Sequence, residues 1–257
     1  MDDDDIPANV CTNQPLSAII SRRQALMGGG AMGLAAAATL LSGPAAGART
    51  NPSSLKFRQP PHRISDTHQI ASGYRADVLI GWGDAVVAGT PAHDLENQTA
   101  AAQSGQFGTN NDFIGYLPLP TESRQSAHGL LCVNHEYANA ELMWPGLTRS
   151  DKFEKMTAAM AAVEMAAHGH SVIEVKRHAG RWSVTSDSRF ARRITATTPI
   201  RISGPAAGHA RLKTAADTTG KQALGTINNC AGGVTPWGTV LIAEENFHGY
   251  FTGDPEG

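Results

Sequence analysis

The sequence predicts a mainly β fold built from many short strands, and three observations carry that reading. Twenty-seven glycines and 14 prolines together far outnumber Phe, Tyr and Trp, a turn-rich composition that suits short strands better than long helices. Apolar runs such as Leu130 to Val133 and Val240 to Ala243 are brief and bounded by turn residues. Only Asp151 to Ala167 repeats its apolar positions at helical intervals. Short strands between turns suggest a sheet-repeat architecture such as a propeller, although no clean internal repeat is visible. With 41% hydrophobic and 17% charged residues the chain can bury a core, and one domain is the default.

Residues 1–48 read as an export signal. Asp2 to Asp5 form a solvated extension, and from Ser21 the chain runs S-R-R-Q-A-L-M, with Arg22 and Arg23 paired. A Gly- and Ala-rich apolar stretch follows to Leu41, then Ala46-Gly47-Ala48. This order is that of a twin-arginine signal peptide, with cleavage expected after Ala48 and delivery to the periplasm or the exterior. Ala25 and Met27 depart from the residues usual at their positions of that signal. The competing reading is a transmembrane anchor, but Gly28, Gly29, Gly30 and Gly33 interrupt the apolar stretch and its end looks cleavable, so no stable membrane anchor is expected. The twin-arginine translocation machinery is thus an expected partner. That route carries proteins already folded, often with metals loaded, which hints at a metal site.

Residues 49–73 read as a Pro- and Ser-containing linker, and 74–257 as the folded domain. A strand is expected within Tyr74 to Trp82 on Val78, Leu79 and Ile80. Gly105 to Pro120 places Gly, Asn and Asp between aromatics, a loop feeding a strand. Gly129 to Tyr137 begins as a strand, with Leu130, Cys132, Asn134 and Glu136 on one face and Leu131, Val133, His135 and Tyr137 on the other. Asp151 to Ala167 is predicted as one helix, capped by Asp151 and Glu154, with Met156, Met160, Val163 and Ala167 packing in the core. Ser171 to Lys176 and Trp182 to Thr185 flank Ala179-Gly180 as a hairpin. Further strands are expected around Ile194 to Ile202, Leu224 to Ile227 and Thr239 to Glu245.

Beyond residue 48 the chain carries 19 basic and 19 acidic residues. That balance makes no electrostatic case for nucleic acid as a partner. Three cysteines are too few and too scattered for a disulfide framework, and Cys11 falls in the expected signal. A Cys132–Cys230 disulfide stays open in an oxidising compartment, but it would consume a thiolate.

The stretch G-T-I-N-N-C-A-G-G-V-T-P-W-G-T-V-L-I-A-E-E-N, from Gly225 to Asn246, is the most informative. Cys230 is read in a turn of small residues, where backbone can approach a ligand closely and a thiolate is a strong metal donor. Glu244 and Glu245 point to opposite faces of an extended strand, so at most one joins Cys230. Carboxylates suit Ca2+ and Fe3+, whereas a thiolate implies a transition metal. The bland alternatives are a packed thiol and surface acids. Asn228 and Asn229 are assigned to turn backbone and Trp237 to a pocket wall. His128, His135 and His248 are assigned to packing or surface, and Cys132 to inert core.

N-N-C-A-G-G-x-T-P-W-G-T-x-L-x-x-E-E-N resembles the signature of the PhoX alkaline phosphatase family. G-T-N-N-D-F-I-G-Y-L-P-L, V-N-H-E-Y and R-R-I-T-x-x-T-P-I-R-I-S-G-P-A-A-G resemble its other N-terminal blocks, so the likeness runs from about Phe107 to the last residue. The resemblance implies a six-bladed β-propeller with helical additions, and a pocket holding ferric iron (Fe3+) and calcium (Ca2+). It implies that Cys230 and Glu245 are metal ligands, and Glu136 another carboxylate ligand. It implies hydrolysis of phosphomonoesters, with diesters as poorer substrates, by an oxygen held on the metals rather than by a Ser or Thr nucleophile. A monomer that scavenges phosphate outside the cytoplasm is expected. The chain stops soon after the signature, so it reads as an N-terminal fragment expected to be inactive alone. Two other readings stay open: a secreted calcium-stabilised propeller that binds a partner, and an exported hydrolase of another ester class.

Overall fold

The computed structural model describes residues 58–121 and 123–250. Arg22, Arg23 and the cleavage expected after Ala48 lie outside the described residues. The chain divides into two units, residues 1–74 and 75–257. In the described part of the first, residues 58–74 form bends and turns without helix or strand. Arg63 donates to Gln69 there, and Gln69 to Ser65 Oγ.

The second unit is built on an antiparallel sheet of β1 (Asn111–Pro118), β2 (His128–His135), β3 (Gly169–His178), β4 (Arg181–Val184) and β5 (Arg192–Ile194). β2 pairs along its whole length with β3, and β1 lies on its other edge. β3 is long enough to carry two partners end to end, β5 along His170–Val172 and β4 along Val175–His178. The β3–β4 hairpin turns through Ala179 and Gly180, both at positive φ (48° and 78°). A two-residue turn of that kind matches the twist of the strands it joins.

Alternation along β2 sets the core. Val133 packs with Ile173 and Val175 of β3 and with Val86 and Phe107, while Leu131 covers the cluster edge. His135 continues on that face, its ring edge-on to Phe107 at 4.6 Å. Cys132 and Asn134 therefore point to the opposite face, as the period of two requires.

Three departures from the sequence reading have physical causes. Residues 74–84 belong to no strand: Val78 is 91% exposed, Leu79 and Ile80 pack on the core as irregular chain, and Asp84 folds back to accept from the Gly81 N–H. The predicted helix is broken. α3 (Lys152–Lys155) ends at Met156, whose backbone is extended, and α4 (Ala158–Ala167) starts afresh with Thr157 Oγ1 accepting from Met160 N at 3.2 Å. Asp151 makes no helix cap; its carboxylate is taken by Thr148 N and Lys155 Nζ. Val163 and Ala167 of α4 join Met143 in a second apolar cluster, between α4 and α2 (Ala140–Met143), and α1 (Ala100–Gln103) packs beside α4. The expected strand from Ile194 to Ile202 is split by a turn in which Thr195 N donates to Thr198 Oγ1, leaving β6 (Pro199–Arg201) to pair with β7 (Gln222–Leu224).

Cys230 lies not in a free turn but in β8 (Asn229–Val234), which pairs with β9 (Val240–Glu244) and packs on β1 and β2. The turn follows instead, at Thr235 to Thr239, where Trp237 is 77% exposed. The described residues are thus mainly β and antiparallel. Among them no helix is long and apolar enough to cross a membrane.

Candidate metal centre

Four chain segments converge where β1 begins, β2 ends, β8 begins and β9 ends. Asp112 sits at the second position of β1, Glu136 one residue past β2 and Cys230 at the second position of β8. Their ligand atoms all lie within 4.8 Å of one another, with Asp112 exposed and the other two half-buried. Glu245, the residue after β9, lies beside this group, close enough for its carboxylate to act on the Cys230 thiol.

Local structure explains the convergence. Glu136 donates its N–H to Asn110 O at 3.0 Å, fixing the end of β2 to the entry of β1, where Asn110 adopts positive φ. Glu245 donates its N–H to Asn228 O at 2.9 Å, extending the β8–β9 pairing by one residue. β8 approaches β1 closely because Gly232 has no side chain: a Cβ there would lie 2.4 Å from the Phe113 ring, next to Asp112. The paired glutamates separate as extended geometry requires. Glu244 accepts from Thr226 Oγ1 and Ile227 N, both at 2.9 Å, while Glu245 faces the thiol.

The electrostatics are one-sided. Hydrogen bonds to the Asp112 and Glu245 carboxylates push the Cys230 thiol up to about 12, so it holds its proton. Burial raises Glu136 above the ordinary carboxylate range, and the neighbouring Asp112 and Glu245 raise it further. A nucleophilic cysteine needs positive surroundings; this one has the reverse. Two carboxylates and a thiol within 4.8 Å of one another, with the Glu245 carboxylate beside them, are instead a donor set for a cation, which favours their charged forms. Carboxylate oxygens suit a hard ion and the sulfur a softer one, so the residues fit a bound metal cation.

The family model described as alkaline phosphatase PhoX matches residues 55–256. The chain belongs to the PhoX alkaline phosphatase family. Among solved structures it is similar to "Pseudomonas fluorescens PhoX in complex with vanadate, a transition state analogue", with 40% identity and a TM-score of 0.67. That match covers 77% of this chain and 34% of the other, so the chain spans about a third of that PhoX protein's length. A comparison with curated proteins gives no match.

Three of the four PhoX-like blocks meet at one place in the fold. Cys230, Glu136 and Glu245, singled out in the sequence, come together there, and Asp112 joins them. Asp112 stands in the quoted block T-N-N-D-F, where an acid among turn residues carries no signal of its own. Asn228 and Asn229 bond locally as expected: Asn228 Nδ2 donates to Glu245 O, and Asn229 Oδ1 accepts from Thr226 Oγ1. His128 pairs with Glu174 at 2.8 Å, His135 lies buried between Asn111 Oδ1 and Ser171 Oγ, and His248 is exposed. Cys132 is buried, its thiol pushed up to about 11 by desolvation, and both Cys132 and Cys230 are free thiols.

Proposed function

We propose that the protein containing this chain is an exported alkaline phosphatase that hydrolyses phosphomonoesters, with diesters as poorer substrates, at a centre of Fe3+ and Ca2+ ions. The observation that carries this reading is the convergence of Asp112, Glu136 and Cys230 within 4.8 Å, in a chain of the PhoX family. The similar Pseudomonas fluorescens structure contains vanadate, described there as a transition state analogue, which supports phosphoryl chemistry for this chain.

Cys230 supplies the soft donor, and Asp112, Glu136 and Glu245 supply the hard ones. The bound metals would neutralise charge on the phosphoryl group and polarise its oxygens. With metal bound, Cys230 would ligate as the thiolate, its proton released to solvent, and the Asp112 and Glu245 carboxylates would serve as ligands rather than as neighbours of a thiol. A six-bladed propeller, monomeric and exported by the twin-arginine route for phosphate scavenging, completes the proposal.

The test uses the complete reading frame, expressed with its export signal. Iron and calcium per chain are measured, and a chromogenic phosphomonoester is assayed at alkaline pH with and without chelator. The reading expects both metals, chelator-sensitive activity and loss of both iron and activity in Cys230→Ala. Calcium without iron and no activity would favour a calcium-stabilised binding protein, and metals without phosphomonoesterase activity would favour another ester class. Full activity in Cys230→Ala would remove the mechanism.

A further inference from the structure

One buried amide lies directly beneath the candidate metal centre and touches none of its donor atoms. Asn134, on β2, is fully buried. Its Nδ2 donates to Cys230 O at 2.7 Å and to Ala231 O at 3.2 Å, and its Oδ1 meets His170 Nδ1 at 2.8 Å. The roles in this chain of bonds are fixed by elimination. Backbone carbonyls only accept, so the amide nitrogen faces β8 and the amide oxygen faces His170. That oxygen also only accepts, so His170 Nδ1 carries the hydrogen. His170 stands directly opposite Asn134 in the β2–β3 register and is itself 4% exposed.

The two carbonyls are not arbitrary ones. The β8–β9 register slips between Asn229 and Gly232, where three steps along β8 answer two along β9. Cys230 and Ala231 fill this bulge. A bulge takes residues off the ladder, bends the strand and re-aims a side chain. Here the displaced carbonyls are both met by one side chain from another strand.

We propose that Asn134, oriented by His170, is a positioning residue for the metal-binding thiol: it clamps the β8 bulge in the one conformation that turns Cys230 Sγ towards Asp112 and Glu136. The inference rests on Cys230 being a metal ligand. Without the clamp, two part-buried carbonyls lose their donor and the bulge can relax towards the ladder, carrying the sulfur away from the carboxylates. His170 acts one step further out: without its N–H the amide is free to flip and present oxygen to oxygen.

The test compares wild type, Asn134→Leu, His170→Leu and His170→Asn in the complete reading frame. The readouts are bound iron, the visible thiolate-to-iron charge-transfer band, and phosphomonoester kcat/KM. Circular dichroism reports folding. Asn134→Leu is expected to displace or abolish the band and to lower iron affinity or kcat/KM about 10- to 100-fold, the usual cost of losing a residue that orients a ligand. His170→Leu should shift the band in the same direction. His170→Asn, whose Nδ2 can stand where the imidazole Nδ1 stood, should keep the wild-type band. A folded Asn134→Leu protein with unaltered band, iron and kinetics overturns the proposal. Should that variant fail to fold, an unaltered band in His170→Leu overturns it, and so does loss of the band in His170→Asn whatever the other two do. Wild-type protein without iron or without the band would instead overturn the metal role of Cys230, a failure distinguishable from that of the clamp.

Discussion

At the scale of single residues, the centre gathers carboxylates around the Cys230 thiol. Asp112 is the first cause of the raised Cys230 thiol, because its carboxylate accepts the S–H. Asp112→Asn removes that charge. In chelator-treated protein, the thiolate titration followed by ultraviolet absorbance should therefore move to lower pH in Asp112→Asn than in wild type. Loaded with metal, the same variant should lose about 10- to 100-fold in metal affinity or activity. An unmoved titration would mean that Asp112 does not hold the thiol proton. Residue chemistry alone leaves Cys230 and Glu245 beside the alternatives of a packed thiol and a surface acid, and it is the resemblance of the surrounding block that singles them out. Asp112 escaped it because aspartate in a turn is ordinary and only the pairing of β1 with β2 brings it to Glu136. His170 escaped for a similar reason, its role depending on a partner across the sheet. Burial lowers His170 to about 4. The unfolded chain, with histidine near its usual value, takes up that proton first as pH falls below about 6.5. Stability is thus complete above that value and is lost as pH falls towards 4, by an amount on the order of 3 kcal/mol. Urea midpoints at neutral and mildly acid pH should separate further in wild type than in His170→Leu.

At the scale of elements, the strands were legible wherever a period of two met clear turn residues. β2, β3 and β4 stand close to where the alternation and Ala179-Gly180 put them. The helix was misjudged because Asp151 and Glu154 imitate a cap, whereas Asp151 serves Thr148 and Lys155 and Thr157 starts α4. Thr157→Ala should therefore cost about 1 kcal/mol, read from the denaturation midpoint, while Glu154→Ala should cost almost nothing. The strand character of Asn229 to Val234 was hidden by its glycines, which weaken a strand on propensity alone. Gly232 is there for approach, whereas Gly233 faces open space. Adding a methyl at Gly232 drives a Cβ into the Phe113 ring and forces β8 and β1 apart at Cys230 and Asp112. Gly232→Ala is expected to lower metal content, and Phe113→Leu in the same chain to restore part of it. Equal metal content in Gly232→Ala and wild type would show that the two strands need not approach so closely.

At the scale of the whole molecule, the centre draws on Asp112, Glu136, Cys230 and Glu245, residues far apart in sequence, so its ligands meet only once β1, β2, β8 and β9 have paired. Those long-range pairings are what no local pattern could supply, whereas mainly β character followed from composition and turn chemistry. The same separation couples metal binding to folding. An unfolded chain cannot gather four donors from distant segments, so the metals bind the native state and stabilise it by mass action, about 4 kcal/mol when free metal stands a thousandfold above its dissociation constant. Removing them costs that term and restores repulsion among the carboxylates, which adds to burial in raising Glu136. Chelation of the complete protein should therefore lower Tm by several degrees, and readdition of iron and calcium should restore it. In Cys230→Ala and Asp112→Asn, Tm should be lower before chelation and respond less to it. A wild-type Tm indifferent to chelator would mean that this junction of four strands holds itself together without a cation.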